Sequence, residues 1–306
     1  MKRVLFLFVD GVGLGQDDPT VNPLSVAELP TLRRFTAGRR WVCTTPPVFT
    51  DRSAFIPTDP RLDVPGRPQS GSAQAAILTG RNVPQMIGEH YGPKPNEPIR
   101  RLLAQDNLFM RVRRAGLPTA LLDAYPERLL QNISRGKTLP SSIQFAAMAS
   151  GQRLFTADDL RAGRALTAEW TGEEWRSHLK YTDTPVYTPF EAGQRLVAMS
   201  REYAFALHSH WITDYIGHRG TIDEGAAMLT RLDGVIAGIH SAWQPEDGIV
   251  ILTSDHGNLE LIGDRRHTEN DVPTLILGRD AAQFAQGLRT LADFAPRIET
   301  YLGIKP

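Results

Sequence analysis

Residues 248–260 read GIVILTSDHGNLE, and this stretch decides the fold. Its apolar start, residues 248–252, is typical of a strand that is buried on both faces of a parallel sheet. Asp255 and His256 follow at the carboxyl end of that strand, where open α/β sheets place their binding sites. His267 adds a second imidazole eleven residues later. This combination indicates a metal site, and the alternative is a surface turn with an unrelated histidine.

Composition excludes several classes of protein. The chain has 306 residues, with 34 Lys+Arg and 34 Asp+Glu, so its net charge gives no electrostatic reason to bind nucleic acid or an anionic membrane surface. Its length allows a large core with a smaller second unit. The single cysteine, Cys43, excludes an internal disulfide framework and thiolate metal motifs. We expect Cys43 to be a buried or partly buried small residue.

The amino-terminal apolar run predicts a first β-strand. Residues 4–9 follow Lys2 and Arg3 in the manner of a signal peptide, but the run ends at Asp10 without a small-residue cleavage site. The glycines of residues 10–15 are spaced G-x-G-x-G, which argues against a dinucleotide-binding loop. No apolar run is long enough to span a bilayer. We therefore expect a soluble cytoplasmic protein without a membrane partner.

Strand and helix patterns alternate along most of the chain, which predicts a doubly wound, mostly parallel α/β sheet. Residues 44–68 have a loop composition, and the pattern loosens after residue 125. We predict a core formed by residues 1–125 and 195–306, with residues 126–194 as a small inserted cap. Strands are predicted near 4–9, 118–123, 203–208, 248–253 and 274–278, and helices near 71–78, 107–115, 190–201, 222–243 and the carboxyl terminus.

Metal-type side chains recur where predicted strands end or helices begin. Asp214 and His218 are four residues apart, which on a helix puts both on one face. Each position has an ordinary explanation by itself, such as a turn carboxylate or a surface pair. Their common position at one edge of an open sheet indicates a shared site instead. The candidate residues are Asp10, Ser70, Asp214, His218, Asp255, His256 and His267.

The order of these motifs resembles the alkaline phosphatase superfamily. An Asp-Gly pair follows the first strand, Ser70 precedes Gly80-Arg81, and Asp-x-x-Gly-His, Asp-His-Gly-Asn and His-Thr come later. Residues 253–260 and 267–273 are most similar to the branch that contains cofactor-independent phosphoglycerate mutase and phosphopentomutase. The resemblance covers residues 1–125 and 195–300.

The resemblance implies a centre of two divalent metal ions, Mn²⁺ or Zn²⁺. One ion would be bound by Asp214, His218 and His267. The other would be bound by Asp10, Asp255, His256 and the Ser70 oxygen. Two dications and three carboxylates leave one positive charge, which an ionised Ser70 would neutralise. Such a site favours deprotonation of the Ser70 hydroxyl, which becomes the catalytic nucleophile.

We expect Ser70 to attack a phosphate ester of a small phosphorylated substrate and to form a phosphoserine. Attack by water then makes the enzyme a phosphatase, whereas attack by a retained alcohol makes it a mutase. The cap is short for a mutase, and Ala73 and Gln74 replace a glycine and a histidine of the family motif. We therefore favour a phosphomonoester hydrolase. The alternatives are a phosphomutase, a phosphodiester or phosphonate hydrolase, and a catalytically silent metal protein.

Several secondary assignments remain open in the sequence. Ser72 is the second candidate for the nucleophile. His208 and His210 either orient ligands or pack at the end of a strand. The pattern selects no oligomeric state. The cap cations contact the non-reacting end of the substrate or form solvated surface; they are Arg128, Arg135, Lys137, Arg153, Arg161 and Arg164.

Overall fold

A seven-stranded sheet lies at the centre of the protein, whose computed structural model describes residues 2–244 and 246–305. Its strands are β1 (Arg3–Val9), β2 (Val48–Phe49), β3 (Ser53–Thr58), β4 (Thr119–Leu121), β5 (Phe205–His210), β6 (Gly248–Thr253) and β7 (Val272–Leu277). The strand order is β2-β3-β7-β6-β1-β5-β4. Strands β6, β1, β5 and β4 are parallel, whereas β7 is antiparallel to both β6 and β3. The predicted α/β fold is confirmed, with a mixed edge on the β7 side.

Helices cover both faces of this sheet. They are α1 (Pro23–Val26), α2 (Pro30–Arg34), α3 (Ser70–Thr79), α4 (Val83–Ile87), α5 (Glu97–Gln105), α6 (Leu108–Arg114), α7 (Glu127–Ser134), α8 (Ser142–Ala149), α9 (Ala157–Arg161), α10 (Glu173–Ser177), α11 (Pro189–Ser200), α12 (Ile212–Arg219), α13 (Ile222–Ala242), α14 (Ala281–Ala285) and α15 (Phe294–Leu302). Among the described residues, none of these helices is long and apolar enough to cross a membrane.

The side chains of β1 alternate between two core clusters, which explains why helices cover both faces of the sheet. Val4, Phe6 and Phe8 join a core cluster that also contains residues of α3, α6 and α15. The residues between them, such as Leu5 and Leu7, join a second cluster with α11 and α13. Successive strand side chains point to opposite faces, so an uninterrupted apolar strand needs helices on both sides.

Two predictions are wrong. Residues 44–68 were expected to be a loop, but β3 lies there and pairs with β7. Proline and small polar residues conceal this strand, because Pro57 cannot donate a ladder hydrogen bond; it lies opposite Pro273, near the end of the ladder. Cys43 is exposed rather than buried, because its segment runs over the surface.

The segment predicted as a cap is built from short helices. Helices α7, α9 and α10 belong to it, and Trp175 packs with Ala157 and Leu160 in a small separate cluster. Helix α8 behaves differently, since it packs on α3 and contributes Ile143 and Ala146 to the main core. The boundaries 126–194 therefore stay a prediction.

Candidate metal centre

The centre forms where three neighbouring parallel strands end. Strand β1 lies between β5 and β6, so Asp10, the start of α12 and Asp255 all emerge at the same edge of the sheet. Gly11 makes the close approach possible, because a Cβ atom there would lie 2.8 Å from the Asp214 Cα. Its φ of +71° also favours glycine.

One group of candidate ligands consists of Asp10, Asp255 and His256. One ligand atom from each lies within 4.8 Å of the others, and all three residues are buried. The His256 Nε2 atom is 3.3 Å from Asp10 Oδ1 and 3.6 Å from Asp255 Oδ2. Ser70 joins them, since its Oγ atom is 3.0 Å from His256 Nε2.

A second group lies directly beside the first. Asp214, His256 and His267 have ligand atoms within 4.8 Å of one another. His218, on the same helix as Asp214, places its Nε2 atom 3.4 Å from Asp214 Oδ2 and 3.2 Å from His267 Nε2. The structure thus brings all seven candidate residues together, and their binding of metal stays a prediction.

The orientation of two histidines fits a bound cation. His267 Nδ1 donates to the Pro68 carbonyl at 2.8 Å, and His218 Nδ1 donates to the Arg265 carbonyl at 2.9 Å. In the neutral rings, both Nε2 atoms then carry lone pairs that face each other at 3.2 Å. Such lone pairs repel unless a cation or proton lies between them, and backbone bonds to the far nitrogen are the usual way to hold metal-binding histidines.

Two of the three carboxylates show the same need for positive charge, whereas at Asp214 burial is outweighed by the hydrogen bond to His218, which together with the other histidines lowers the pKa. Burial, together with the neighbouring Asp255 and Asp214, raises the pKa of Asp10 well above its ordinary value. Burial and Asp214 raise the pKa of Asp255 to about 7. Asp10 Oδ1 is buried and has no hydrogen-bond partner among the described residues. Divalent cations would reverse these effects by stabilising the ionised forms, so the donor set fits metal ions.

The two serine candidates differ clearly in position. Ser70 is the first residue of α3 and lines the cavity in front of the centre. Ser72 is fully buried, and its Oγ accepts from the Tyr91 N–H at 3.0 Å and donates to the Gln69 carbonyl. Ser72 therefore stabilises the loop between α4 and α5, whereas Ser70 faces the ligands.

Sequence reasoning missed the residues that hold the ligands in place. Gln74 Nε2 donates to Asp10 and Asp255 at 3.3 and 3.2 Å. Asn258 Nδ2 donates to Asp214 Oδ1 at 2.8 Å. Glu260, which is buried, accepts from the backbone N–H groups of Gly13 and Asn258. The position of Gln74, four residues after Ser70 on one helix, was a usable signal.

A cavity of about 700 Å³ opens in front of these side chains. Asp10, Ser70, Gln74 and Asp214 line one side of it, together with Lys94. Lys94 is accessible to solvent from the cavity, but protein surrounds much of its side chain. This partial burial lowers the pKa of the Lys94 ammonium group, and the negative charge of Asp10 opposes the shift. No periodic pattern marks Lys94 in the sequence, because it lies in a proline-rich loop.

His208 and His210 lie behind the cavity rather than at the ligands. His208 Nδ1 is 2.8 Å from Asp123 Oδ1, and both residues are buried. His210 donates to the Ala168 carbonyl and stacks on Trp170 with ring centroids 4.0 Å apart. Their packing role is therefore the one that the structure supports.

The cap cations do not line the cavity among the described residues. Arg153 and Arg164 both pair with Asp159, and Arg161 pairs with Asp183. Contact of these arginines with a substrate is not supported by this arrangement.

Comparisons with known proteins find similar metalloenzymes. A model of the Metalloenzyme superfamily matches residues 190–306, the part that carries five of the seven candidate ligands. The chain is 31% identical over 134 residues to a 2,3-bisphosphoglycerate-independent phosphoglycerate mutase from Methylobacillus flagellatus. That alignment covers 41% of this chain and 26% of the mutase, so the chain matches about a quarter of the length of that relative.

Two solved structures share the fold. The alkaline phosphatase from the Antarctic bacterium TAB5 has a TM-score of 0.56 at 14% identity, with 99% of each chain covered. A phosphoglycerate mutase from Leishmania mexicana has a TM-score of 0.50 at 11% identity, with 100% of this chain and 96% of the mutase covered. The chain is thus similar to the alkaline phosphatase-like metalloenzymes, in the branch that resembles cofactor-independent phosphoglycerate mutase, as its motifs predict.

Proposed function

We propose that the protein is a metal-dependent phosphoryl-transfer enzyme that hydrolyses phosphate monoesters through a phosphoserine at Ser70. One observation carries this proposal. Ser70 Oγ lies 3.0 Å from His256 Nε2, beside both groups of candidate ligands, and it lines a cavity of about 700 Å³ that can receive a substrate. A nucleophile, a set of metal ligands and an accessible cavity therefore meet at one point.

His256 belongs to both groups of candidate ligands, so we divide the ligands as the family resemblance implies. We infer that Asp214, His218 and His267 bind one divalent ion and that Asp10, Asp255, His256 and the Ser70 oxygen bind the other, with Mn²⁺ or Zn²⁺ suited to these nitrogen and oxygen donors. When bound, the two ions neutralise the carboxylates, lower the pKa of the Ser70 hydroxyl and offset the charge of the phosphate.

The remaining steps are carried by the chain itself. Ser70, at the first turn of α3, is held toward the cavity by a helix that is buried throughout its length. Lys94 lines the same side of the cavity and supplies a positive charge to a phosphate oxygen. Attack of Ser70 Oγ on phosphorus breaks the ester bond and releases the alcohol. Water then attacks the phosphoserine, which releases inorganic phosphate and restores the hydroxyl.

We propose hydrolysis before the mutase reaction because the cavity has few cationic side chains for a second anionic group. A phosphoglycerate mutase must hold a carboxylate beside the phosphate, and a buried carboxylate needs a cationic partner. Among the described lining residues, only Lys94 and Arg219 carry a permanent positive charge. The mutase remains the second candidate because of the 31% identity over 134 residues to phosphoglycerate mutase.

The predicted cap has a defined place in this proposal. Leu129, Leu139, Trp175 and Leu179 all come from residues 126–194 and line the same cavity as Ser70. We infer that this segment forms the part of the site that receives the alcohol. This position matches the general rule that specificity is carried by elements added to a shared fold.

The test is p-nitrophenyl phosphate hydrolysis by metal-free protein that is reloaded separately with Mn²⁺, Zn²⁺ and Mg²⁺. We expect metal-dependent release that Ser70→Ala lowers by about 10³-fold or more, the scale for loss of a catalytic nucleophile. Ser72→Ala is the matched control, and it should retain activity. Full activity in Ser70→Ala would refute the nucleophile. Conversion of 3-phosphoglycerate to its isomer without phosphate release would favour the mutase.

A further inference from the structure

Part of the exposed apolar surface of the protein lies around the cavity. Ten large hydrophobic side chains are exposed in the described part of the chain, and four of them line this one cavity. They are Leu139 (45% exposed), Leu179 (46%), Trp211 (55%) and Tyr215 (51%). Exposed apolar surface concentrated in a concave site marks a place that a ligand covers.

Buried apolar neighbours line the same cavity. Trp175 and Ile143 also line the cavity and are held in hydrophobic clusters of the protein. We refer to Leu139, Trp175, Leu179, Trp211 and Tyr215 as the apolar wall. The same cavity contains Ser70 and Asp10, so a molecule whose phosphate lies at Ser70 extends its other end toward the apolar wall.

Charge at this end of the cavity argues against a second anionic group. Arg219 lies against the Tyr215 ring, with its guanidinium carbon 5.6 Å from the ring centroid, and Lys94 lies on the side of Ser70. Asp123 also lines the cavity and is buried, where it accepts from the Tyr125 hydroxyl and the Ser209 N–H. Among the described lining residues at this end, a carboxylate or second phosphate on the alcohol would have only the Arg219 guanidinium as a permanent cationic partner and would otherwise meet apolar surface, which makes its burial costly.

The size of the cavity also exceeds what a three-carbon phosphate ester needs. Its volume of about 700 Å³ lies within the range of about 300–1,000 Å³ that is typical for sites of larger organic ligands. A small, highly charged substrate would leave the apolar wall exposed to water in the complex.

From these observations we propose that the alcohol part of the substrate is an uncharged, apolar body that lies against the apolar wall, so that the enzyme acts on phosphate monoesters of apolar alcohols. This proposal rests on the phosphomonoesterase function proposed above. The apolar wall then contributes binding energy remote from phosphorus, in proportion to the apolar area that the substrate buries.

The experiment uses metal-loaded protein and n-alkyl phosphates from methyl to octyl, whose leaving groups differ little in acidity from ethyl onward. Burial of each methylene can raise kcat/KM by up to about fourfold. We expect a total rise of at least about tenfold from butyl to octyl phosphate, and a similar loss when octyl is replaced by 7-carboxyheptyl. A comparison of kcat/KM for naphthyl phosphate with kcat/KM for phenyl phosphate tests an aromatic alcohol in the same way, and naphthyl phosphate should give the higher value. A rise in either series supports the proposal, and no rise in both overturns it.

Two variants localise the effect. Leu179→Ser removes an exposed side chain of the apolar wall, so it should lower the ratio of kcat/KM for octyl phosphate to kcat/KM for methyl phosphate by about threefold to tenfold. Val186→Ser is the matched control, because Val186 is 41% exposed in the same segment but does not line the cavity. Equal effects of the two variants would contradict the proposal.

A binding measurement separates this proposal from the catalytic one. Metal-loaded Ser70→Ala is titrated with octylphosphonate and methylphosphonate by calorimetry. We expect tighter binding of octylphosphonate with a more negative heat-capacity change, the signature of apolar burial. Preferential binding without hydrolysis of any ester would refute the proposed function and keep the apolar site. Hydrolysis without preferential binding of octylphosphonate would support the proposed function and refute the apolar site.

Discussion

The polar and apolar sides of the site are built in opposite ways. The polar side is the candidate metal centre, where Asp10, Ser70 and Asp255 are buried and lie among hydrogen-bond donors from Gln74 and from the loops around them. The apolar side is the apolar wall, which contains half-exposed side chains such as Leu179 and Trp211. The first arrangement fixes distances and orientations between side chains. The second fixes only a shape and a polarity.

The largest effect is expected from a ligand on the polar side. Asp255→Asn replaces the carboxylate of a fully buried candidate ligand with a neutral amide, which binds a divalent cation less strongly. We expect a fall in kcat/KM of about 10³-fold or more, because a metal ion supplies several kcal/mol of transition-state stabilisation. Bound metal per chain, measured by elemental analysis, should also fall. Asp158→Asn, at a side chain that is 84% exposed, is the control. Unchanged metal content in Asp255→Asn would show that Asp255 is not a metal ligand.

Glu260 tests whether the polar side depends on its hydrogen bonds. Its carboxylate accepts from Gly13, Asn258, Thr268 and Asn270. Glu260→Gln places an NH₂ group against some of these donors, so we expect a loss of about 2–4 kcal/mol in the free energy of unfolding. Urea denaturation measures it. Glu269→Gln, at an exposed side chain in the same loop, should change little, and an equal loss there would contradict the assignment.

Gln74 should matter for metal binding more than for folding. Gln74→Leu removes the donor shared by Asp10 and Asp255, and loss of such supporting groups weakens metal affinity by about 10–100-fold. Competition with a chelating indicator gives this affinity directly. Gln131→Leu, on the exposed side of α7, provides the comparison. Equal affinities in the two variants would show that Gln74 does not orient the carboxylates.

The smallest effect concerns pH and a residue behind the cavity. Burial lowers the pKa of His210 to about 3. The hydrogen bond to the Ala168 carbonyl opposes this shift, whereas the nearby His208 adds to it. An unfolded histidine titrates near 6.5, so between these values the unfolded state binds the extra proton. Stability should therefore fall as pH falls below 6.5, by up to about 1.4 kcal/mol per pH unit from this residue.

Comparison with His210→Gln isolates that contribution, because every other titrating group is shared. The free energy of unfolding, measured from pH 7 to pH 4, should have a shallower slope in the variant. His178→Gln, at an exposed histidine, should keep the original slope. Parallel curves for the original protein and His210→Gln would show that His210 is not held neutral.

The sequence predicted the polar side far better than the apolar side. Asp255 and His256 follow a strand that its uninterrupted apolar run identifies, and α3 was predicted from its run of small residues. The parallel order of the strands then required Asp10, Asp214 and Asp255 to meet at one edge. The pattern of apolar runs along the chain and the parallel direction of the strands were thus enough to bring these residues together.

The apolar wall could not be predicted in this way. Leu139, Leu179 and Trp211 lie outside long periodic elements, and each is unremarkable in its local sequence. They line one cavity only because residues 126–194 pack near Trp211, which depends on tertiary structure. Strand β3 was missed for a similar reason, since pairing with β7 stabilises a segment whose Pro57 disfavours strand locally.

The central claim is that Ser70 is phosphorylated during turnover. The most direct measurement is acid quenching of metal-loaded protein during hydrolysis of octyl phosphate, followed by peptide mass spectrometry. We predict that phosphate is found on the peptide at Ser70 and is absent from the corresponding peptide of Ser70→Ala. Phosphate on Ser72, or steady release of product with no phosphorylated Ser70 at any quench time, would contradict the account.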